Sequence, residues 1–283
     1  MQNDQVIEMR MAQLSWTGPV AVFSHRNASS RNALSEPLRL DYADMVQEIS
    51  RRRDTRALVI TGSDGSFCAG GDLRAMHDRL ASADPEVNSP DATRRRIDRA
   101  QDWLRKLREL DLPVIAAVDG AAYGAGFCLA LQADFILASS RANFCMSFVK
   151  VACLPDFGAF HTLPRWVGMA RAKELMMTGR RLDAREAHAM GLVLAIHEPQ
   201  QLLERALSMA ARLASGPREA IALTRKLLNQ SYETDYTTLA NLEAAAQAIC
   251  MAAPSHQEAV ARFAAGEPPR YDWDRPAPSP HAD

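Results

Sequence analysis

Residues 113–134, "PVIAAVDGAAYGAGFCLALQAD", predict a buried strand that is followed by a glycine-rich turn and a buried helix. The run "PVIAAV" is typical of a buried strand, and "GFCLALQA" is typical of a buried helix. Between them, Gly120, Gly124 and Gly126 fall within seven residues. Glycine at such a junction lets a bound molecule or another backbone segment approach closely. The junction is therefore a candidate functional site.

Strand and helix patterns alternate along the first 200 residues, which predicts an α/β layered core. Another strand–loop–helix junction, "ALVITGSDGSFCAGGDL", occupies residues 57–73. In chain order, we call the glycine-rich part of this junction the first glycine loop and that of residues 113–134 the second glycine loop. The pattern after residue 198 is helical, and the last residues, "EPPRYDWDRPAPSPHAD", are rich in proline and expected to be extended or disordered. We therefore divide the chain into a core at 1–198, a helical region at 199–266 and a proline-rich tail at 267–283.

Two local patterns give more specific predictions. Ser35 precedes a run with apolar residues at helical spacing, so it is expected to cap that helix. Residues 81–92, "ASADPEVNSPDA", are small, polar and proline-bearing, which indicates a mobile loop. A helix is expected to follow at residues 94–110.

Charge and cysteine content favour a soluble cytoplasmic protein. The net charge of −1 gives no general attraction to nucleic acid. The first ten residues, "MQNDQVIEMR", carry charges where a signal peptide needs an apolar run. The apolar stretch around Gly120 is interrupted too soon to span a membrane. Five cysteines without a CxxC pair suit reduced thiols. We therefore expect neither a nucleic-acid nor a membrane partner.

Both glycine-rich junctions would leave unpaired backbone N–H groups at a helix start, where the helix dipole is positive. Such groups can bind an anion, or an oxygen that becomes anionic during a reaction. The alternative is that the glycines only permit tight turns. A nicotinamide site is disfavoured because the spacing at residues 120–126 is G-x-x-x-G-x-G, not G-x-G-x-x-G.

With these two junctions, the chain resembles the crotonase (enoyl-CoA hydratase/isomerase) superfamily. "LPDFGAFHTLPRWVGMARAKELMMTGRRLDAREAHAMGLV" and "SHQEAVARF" extend the resemblance, which runs from about Val6 to Tyr271. It implies a spiral of ββα units with a C-terminal helical layer, assembled as a homotrimer or a dimer of trimers. It also implies an acyl-CoA thioester substrate, with no metal and no cofactor besides the coenzyme A of the substrate.

The resemblance assigns roles to residues of both junctions. The backbone N–H groups of Gly71 and Ala125 would bind the thioester oxygen and stabilise an enolate. The residues implied in coenzyme A binding are Ala33, Ala69, Gly70, Asp72, Leu73, Arg74 and Gly124. Asp72 equally suits a helix cap, and Arg74 suits an exposed helix position. Ala28 stands where the family usually has a proline before "SSRNAL", so the shape of that loop stays open.

The two glutamates of the family's hydratases are absent. Cys128 stands at the first position and Phe148 at the second. Asp156, in "VACLPDFGAF", is the remaining candidate. In several relatives an acid at the matching position acts on the substrate, and the segment resembles the ring-acyl isomerase type. Asp156 precedes a predicted helix, so a purely structural N-cap is the alternative.

One carboxylate beside an oxyanion hole suits double-bond or ring isomerisation, because a single base can remove a proton and return it elsewhere. Asp156 is therefore the expected base, and an acyl-CoA isomerase the expected enzyme. A hydratase with unusual catalytic residues and a non-catalytic acyl-CoA binder remain alternatives. His161 is expected to be a structural helix residue, and His77 either to be structural or to line the acyl pocket.

Overall fold

The computed structural model of the protein describes residues 5–274. Its larger sheet has seven strands, in which the first three pair antiparallel and each later neighbour pairs parallel. In spatial order they are β1 (Val6–Glu8), β2 (Ala12–Thr17), β3 (Val20–His25), β4 (Ala57–Gly62), β6 (Val114–Val118), β8 (Phe135–Ser139) and β11 (Ala195–His197).

A smaller sheet lies at the ends of the central strands. In spatial order it consists of β10 (Arg181–Asp183), β9 (Asn143–Cys145), β7 (Ala121–Tyr123) and β5 (Ser66–Cys68). Each of β4, β6 and β8 is followed in the chain by one short strand of this sheet. The chain thus passes repeatedly from the large sheet to the small sheet and on to a helical segment. This confirms the predicted α/β spiral of ββα units.

Helices surround both sheets. They are α1 (Glu36–Arg51), α2 (Leu73–Leu80), α3 (Pro90–Arg108), α4 (Ala125–Ala130), α5 (Ala159–Val167), α6 (Met169–Thr178), α7 (Ala184–Ala189), α8 (Pro199–Ala214), α9 (Arg218–Gln230), α10 (Tyr236–Ala252) and α11 (Pro254–Ala264). The last four lie in the region predicted to be helical. Residues 275–283 of the predicted proline-rich tail lie outside the described residues.

Apolar side chains fill both sides of the large sheet. The main cluster lies between the two sheets and the helices around them. On the opposite side, α8 presents Leu202, Ala206, Ala210 and Ala214, spaced four residues apart, to the sheet. Their small size lets the helix approach residues such as Ile115 closely. By its packing, α8 therefore belongs to the sheet core.

Two local predictions are wrong in part. Ser35 stands at the N-cap of α1, but its side chain accepts no hydrogen bond there, and its Oγ is buried without a partner in the described chain. Residues predicted to form a mobile loop instead include a 3₁₀ turn, Pro85–Asn88, and the first turn of α3. Pro90 follows the capping Ser89 and suits the first helical position, where no N–H is needed.

A buried ion pair joins the C-terminal helices to the core. Arg225 of α9 donates from Nε to both carboxylate oxygens of Asp134, at 2.7 and 2.9 Å. Its Nη1 donates to the carbonyl oxygens of Arg108 and Leu110, each at 2.7 Å. Asp134 in turn accepts the N–H of Val114, at the start of β6. One side chain therefore ties α9 to a central strand and to the end of α3.

We expect Arg225→Ala to lower the free energy of unfolding by about 3–5 kcal/mol, because it leaves the Asp134 carboxylate buried without its charge partner. Urea denaturation measures this change. Lys226→Ala removes an exposed cation from the next position and should cost less than about 0.5 kcal/mol. Equal losses in the two variants would contradict a role for the ion pair in docking α9.

Candidate active site

The two glycine-rich junctions lie against each other. A Cβ on Gly126 would stand 2.2 Å from the carbonyl oxygen of Cys68, a distance that no side chain tolerates. A Cβ on Gly70 would stand 2.7 Å from the carbonyl oxygen of Tyr123, and Gly70 has a φ of +101°. Glycine is therefore needed on both sides of this contact. The contact places Gly71 and Ala125 in one region, at the ends of β5 and β7.

Two backbone N–H groups at this contact remain available as hydrogen-bond donors. Ala125 is the first residue of α4, so its N–H has no acceptor within that helix. The N–H of Gly124 is already used by the carbonyl of Cys145, at 2.8 Å. Across residues 5–274, neither Gly71 nor Ala125 donates its N–H to a backbone carbonyl of a turn or loop. These are the two donors that the sequence predicts for an oxyanion.

The segment around Ala33, one of the residues implied in coenzyme A binding, joins the first glycine loop. Leu34 donates its N–H to the carbonyl oxygen of Gly70 at 2.7 Å, and Ala69 donates to Arg31 at 3.0 Å. Ala33, which lies between Arg31 and Leu34 in the chain, is buried. The buried Asn32 anchors the segment, since its Nδ2 donates to the carbonyls of Ser66 and Ser63. The sequence analysis did not identify Asn32, because the two carbonyls that its Nδ2 binds lie more than 30 residues along the chain.

The remaining residues assigned to coenzyme A binding start helix α2. Asp72 caps this helix, because its side chain accepts the N–H of Ala75 at 3.0 Å. Leu73 and Arg74 follow it, and both are exposed. Their side chains are thus accessible beside the first glycine loop. His77, on the same helix, is largely exposed and lies 3.7 Å from Asp78, which fits a surface residue better than a pocket wall.

Asp156 does not cap the helix that follows it. Gly158 occupies the N-cap of α5, and no side chain caps that helix. The Oδ1 atom of Asp156 is buried and has no hydrogen-bond partner in the part of the chain that the structure describes. Burial raises the pKa of Asp156 to about 6, although the positive charge of Arg39 acts in the opposite direction. A carboxylate in this state can exchange protons near neutral pH.

The two positions that carry glutamates in the hydratases hold groups that do not act as acids here. Phe148 packs beside the second glycine loop, with its ring 3.8 Å from where a Cβ on Gly124 would lie. Cys128 is fully buried, and its pKa is raised well above the usual value by burial and by the charge of Asp156. Cys128 therefore stays protonated at neutral pH, and it lies close enough to Asp156 to sense its charge.

Gln132 holds the Asp156 loop against α4. This buried side chain donates from Nε2 to the carbonyl oxygen of Phe157 at 3.0 Å and to that of Cys128 at 3.3 Å. Phe157 has a φ of +50°, a conformation that costs about 1–3 kcal/mol for a residue other than glycine. The hydrogen bond from Gln132 stabilises this turn and so fixes Asp156. Sequence analysis missed Gln132, because its partner lies 25 residues along the chain.

His161 lies on α5 and pairs with the C-terminal part of the chain. Its Nδ1 is 3.1 Å from the carboxylate of Glu233, and its Nε2 is 2.9 Å from the guanidinium of Arg108. Burial and the nearby arginines lower the pKa of His161. It is a structural residue, as the sequence analysis predicts.

Comparison with known proteins agrees with the two loops and the fold. A family model described as "Enoyl-CoA hydratase/isomerase" matches residues 17–274. The chain belongs to the enoyl-CoA hydratase/isomerase family. In the residues that the structure describes, no helix is both long and apolar enough to cross a bilayer.

Relatives in the family carry different names. The 1,2-epoxyphenylacetyl-CoA isomerase of Escherichia coli is 32% identical over 241 residues, covering 85% of this chain and 90% of the relative. The crotonyl-CoA hydratase of Syntrophomonas wolfei is 32% identical over 245 residues, covering 86% and 91%. The crystal structure of an enoyl-CoA hydratase/isomerase from Cupriavidus metallidurans is 37% identical with a TM-score of 0.88, covering 96% of this chain and 98% of that one.

We expect Gln132→Leu to lower the free energy of unfolding by about 1–3 kcal/mol, because the carbonyl of Phe157 loses the hydrogen bond that holds its strained turn. Chemical denaturation measures the loss. Gln201→Leu is the matched control, since Gln201 is exposed on α8, and it should change stability by about 0.5 kcal/mol or less. A Gln132→Leu variant as stable as the control would show that the hydrogen bond from Gln132 to Phe157 does not stabilise the Asp156 loop.

Proposed function

We propose that the protein is an acyl-CoA isomerase of this family, in which Asp156 is the proton-transferring base. One observation carries the proposal: the Asp156 carboxylate has a buried oxygen without a partner and a pKa raised to about 6. A base with such a pKa is mostly ionised at neutral pH, yet its conjugate acid can give the proton back. An acid that only capped a helix would use its oxygens on backbone N–H groups.

The reaction proceeds in two proton transfers. Asp156 takes a proton from a carbon conjugated to the thioester carbonyl, and the electron pair of that C–H bond moves onto the thioester oxygen as an enolate. The N–H groups of Gly71 and Ala125 stabilise that oxygen, each contributing about 3–4 kcal/mol to lowering the barrier. The electrons then return, the carbonyl re-forms, and a second carbon takes the proton from Asp156. The double bond has moved without a change in composition.

Isomerisation is favoured over hydration because hydration needs a second group to orient water. Cys128 and Phe148 stand at the positions that would supply it, and neither ionises at neutral pH. The relative named 1,2-epoxyphenylacetyl-CoA isomerase adds support. The second candidate is a hydratase, because the crotonyl-CoA hydratase of Syntrophomonas wolfei shares the same sequence identity with this chain as the isomerase does. An acyl-CoA binder without turnover is the third.

Coenzyme A would bind along the first glycine loop and the segment beside it. The proposed binding residues are Ala33, Ala69, Gly70, Asp72, Leu73, Arg74 and Gly124. Ala33 and Ala69 flank the backbone hydrogen bonds that join the two segments. Arg74 is exposed at the start of α2, where its charge can meet the phosphates. The reaction requires no further cofactor, because the thioester itself acidifies the proton.

Asp156→Asn is expected to lower turnover by about 100- to 10,000-fold, because the amide keeps the size of the side chain but cannot accept the proton. Loss of deuterium exchange at the α- or γ-carbon of a bound enoyl-CoA measures the same defect directly. In the wild-type enzyme, kcat/KM should fall as the pH drops below about 6, where the base becomes protonated.

Asp111→Asn changes an exposed acid outside the site and serves as the control. Crotonyl-CoA and a 3-enoyl-CoA, each followed by absorbance, separate hydration from isomerisation. Water addition as the main reaction would favour the hydratase. Tight binding of the whole acyl-CoA panel without turnover would favour the binder. A fully active Asp156→Asn enzyme would show that Asp156 is not the proton-transferring base.

We also propose that the protein is a homotrimer, or a dimer of trimers, held by its C-terminal helices. Helices α10 and α11 leave large apolar side chains exposed, among them Tyr236, Ile249, Met251, Val260 and Phe263. A cavity of about 790 Å³ lies between α9, α10 and α11. Single exposed apolar residues are common, but a set of this size on adjoining helices is typical of an interface.

Light scattering coupled to size exclusion should give a mass near that of three or six chains of 31.1 kDa each. Phe263→Ser should shift the population towards smaller species, because it removes an apolar side chain that is 86% exposed in the single chain. A stable monomer at micromolar concentration would refute the assembly and leave the proposed reaction untouched.

A further inference from the structure

Three arginines from three consecutive helices, Arg39, Arg79 and Arg96, carry charges that act on one another, and Arg39 packs on the residue after Asp156. Arg39 of α1 places its guanidinium carbon 5.4 Å from the ring centre of Phe157, the residue after Asp156. Arg96 of α3 donates to the carbonyl of Val87, in the 3₁₀ turn Pro85–Asn88. Arg79 of α2 accepts, through its carbonyl, a hydrogen bond from the last residue of the same turn. This turn therefore joins two of the arginines.

The charges of the three arginines influence one another. The positive charges of Arg79 and Arg96 contribute to lowering the pKa of Arg39, as does burial, which is the largest cause. Arg79 likewise contributes to a lowered pKa of Arg96. The geometry agrees for two of them, because the turn Pro85–Asn88 contacts both Arg79 and Arg96. We call these three residues the arginine cluster.

The arginine cluster lacks the ion pairs that other arginines of α3 make. Arg94 and Arg95 pair with Asp91. By contrast, within the described part of the chain no carboxylate lies within 4.0 Å of a nitrogen of Arg39, Arg79 or Arg96. The Nε of Arg39 is buried without any hydrogen-bond partner there.

Two carboxylates, those of Glu36 and Asp156, act on the cluster from longer range. Three guanidinium groups against two carboxylates leave an excess of positive charge, and Arg99 adds to it from α3. A partly buried guanidinium without a charge partner is costly, and a bound anion with bidentate geometry compensates for that cost. The positive charge of the arginine cluster therefore suits an anionic group of a bound ligand.

We propose that the substrate is an acyl-CoA whose acyl chain ends in a second carboxylate, and that the arginine cluster binds this carboxylate. The proposal rests on the proposed function, since it assumes that the acyl group lies against Asp156. The thioester would sit at Gly71 and Ala125, and the chain would pass Asp156 on its way to the cluster. A neutral chain of the same length would leave the guanidinium groups without a carboxylate partner.

Equilibrium binding to Asp156→Asn protein tests the proposal without requiring turnover. The ligands are matched pairs of enoyl-CoA thioesters of four to eight acyl carbons, one member ending in a methyl group and the other in a carboxylate. Calorimetry should show the carboxylate member binding at least 10-fold more tightly at the best length. Because both members contain coenzyme A, the contribution of its phosphates cancels in the ratio.

Arg79→Met and Arg96→Met keep the length of the apolar stem, and each should reduce this preference by at least fivefold while binding of the methyl member changes little. Arg95→Met is the matched control, because Arg95 is the exposed neighbour of Arg96 and pairs with Asp91. It should leave the preference unchanged. Arg96→Lys should retain part of the preference.

The outcomes separate this proposal from the proposed function. Equal binding of both members at every length, or a preference that survives both Arg79→Met and Arg96→Met, would overturn the carboxylate site alone. An Asp156→Asn protein that remains active while preferring the carboxylate member would overturn the role of the base and support the site. Failure of every thioester to bind would overturn both.

Discussion

The close approach of two backbone segments is the constraint on which the site depends. Where β4 turns into β5, where β6 turns into β7 and in the first turn of α4, glycines lie so near a neighbouring carbonyl that a Cβ has no room. At Gly120 it would stand 1.9 Å from the carbonyl oxygen of Gly65, and at Gly126 it would stand 2.2 Å from that of Cys68. Only this contact brings the N–H groups of Gly71 and Ala125 into one region. The sheets, α4 and the proposed oxyanion site all follow from it.

The second determinant is the electrostatic environment of a single acid. Asp156 has a buried oxygen without a partner, near a thiol and beside an arginine that forms no ion pair with it. Burial and the positive charge of Arg39 act on its pKa in opposite directions, and burial dominates. The strained backbone of Phe157 shows that the loop is held in place by its surroundings, chiefly by Gln132. Such a balance is typical of a proton-transferring group.

The sequence predicted the fold and both glycine loops because their signals are local: apolar runs of strand length, followed by small residues and a helical pattern. It also singled out Asp156, but its capping alternative could be excluded only once Gly158 was seen at the N-cap. Gln132 and Arg39 escaped prediction, since each acts on residues far away in the chain and has no pattern around it. The 3₁₀ turn Pro85–Asn88, in residues predicted to form a loop, was missed for a similar reason: Arg96 donates a hydrogen bond to it from the following helix.

Helix α4 carries Ala125 at its first residue, and Gln132 follows two positions after its last. One short, fully buried element thus sets the spacing between the proposed oxyanion donor and the loop of the proposed base. The arginine cluster, by contrast, comes from helices outside that element. In evolutionary terms, the proposed reacting geometry and the proposed recognition of the acyl group would be separable traits. Substitutions on α1, α2 and α3 would then adapt a descendant to another acyl group, while its chemistry would be inherited unchanged from the core.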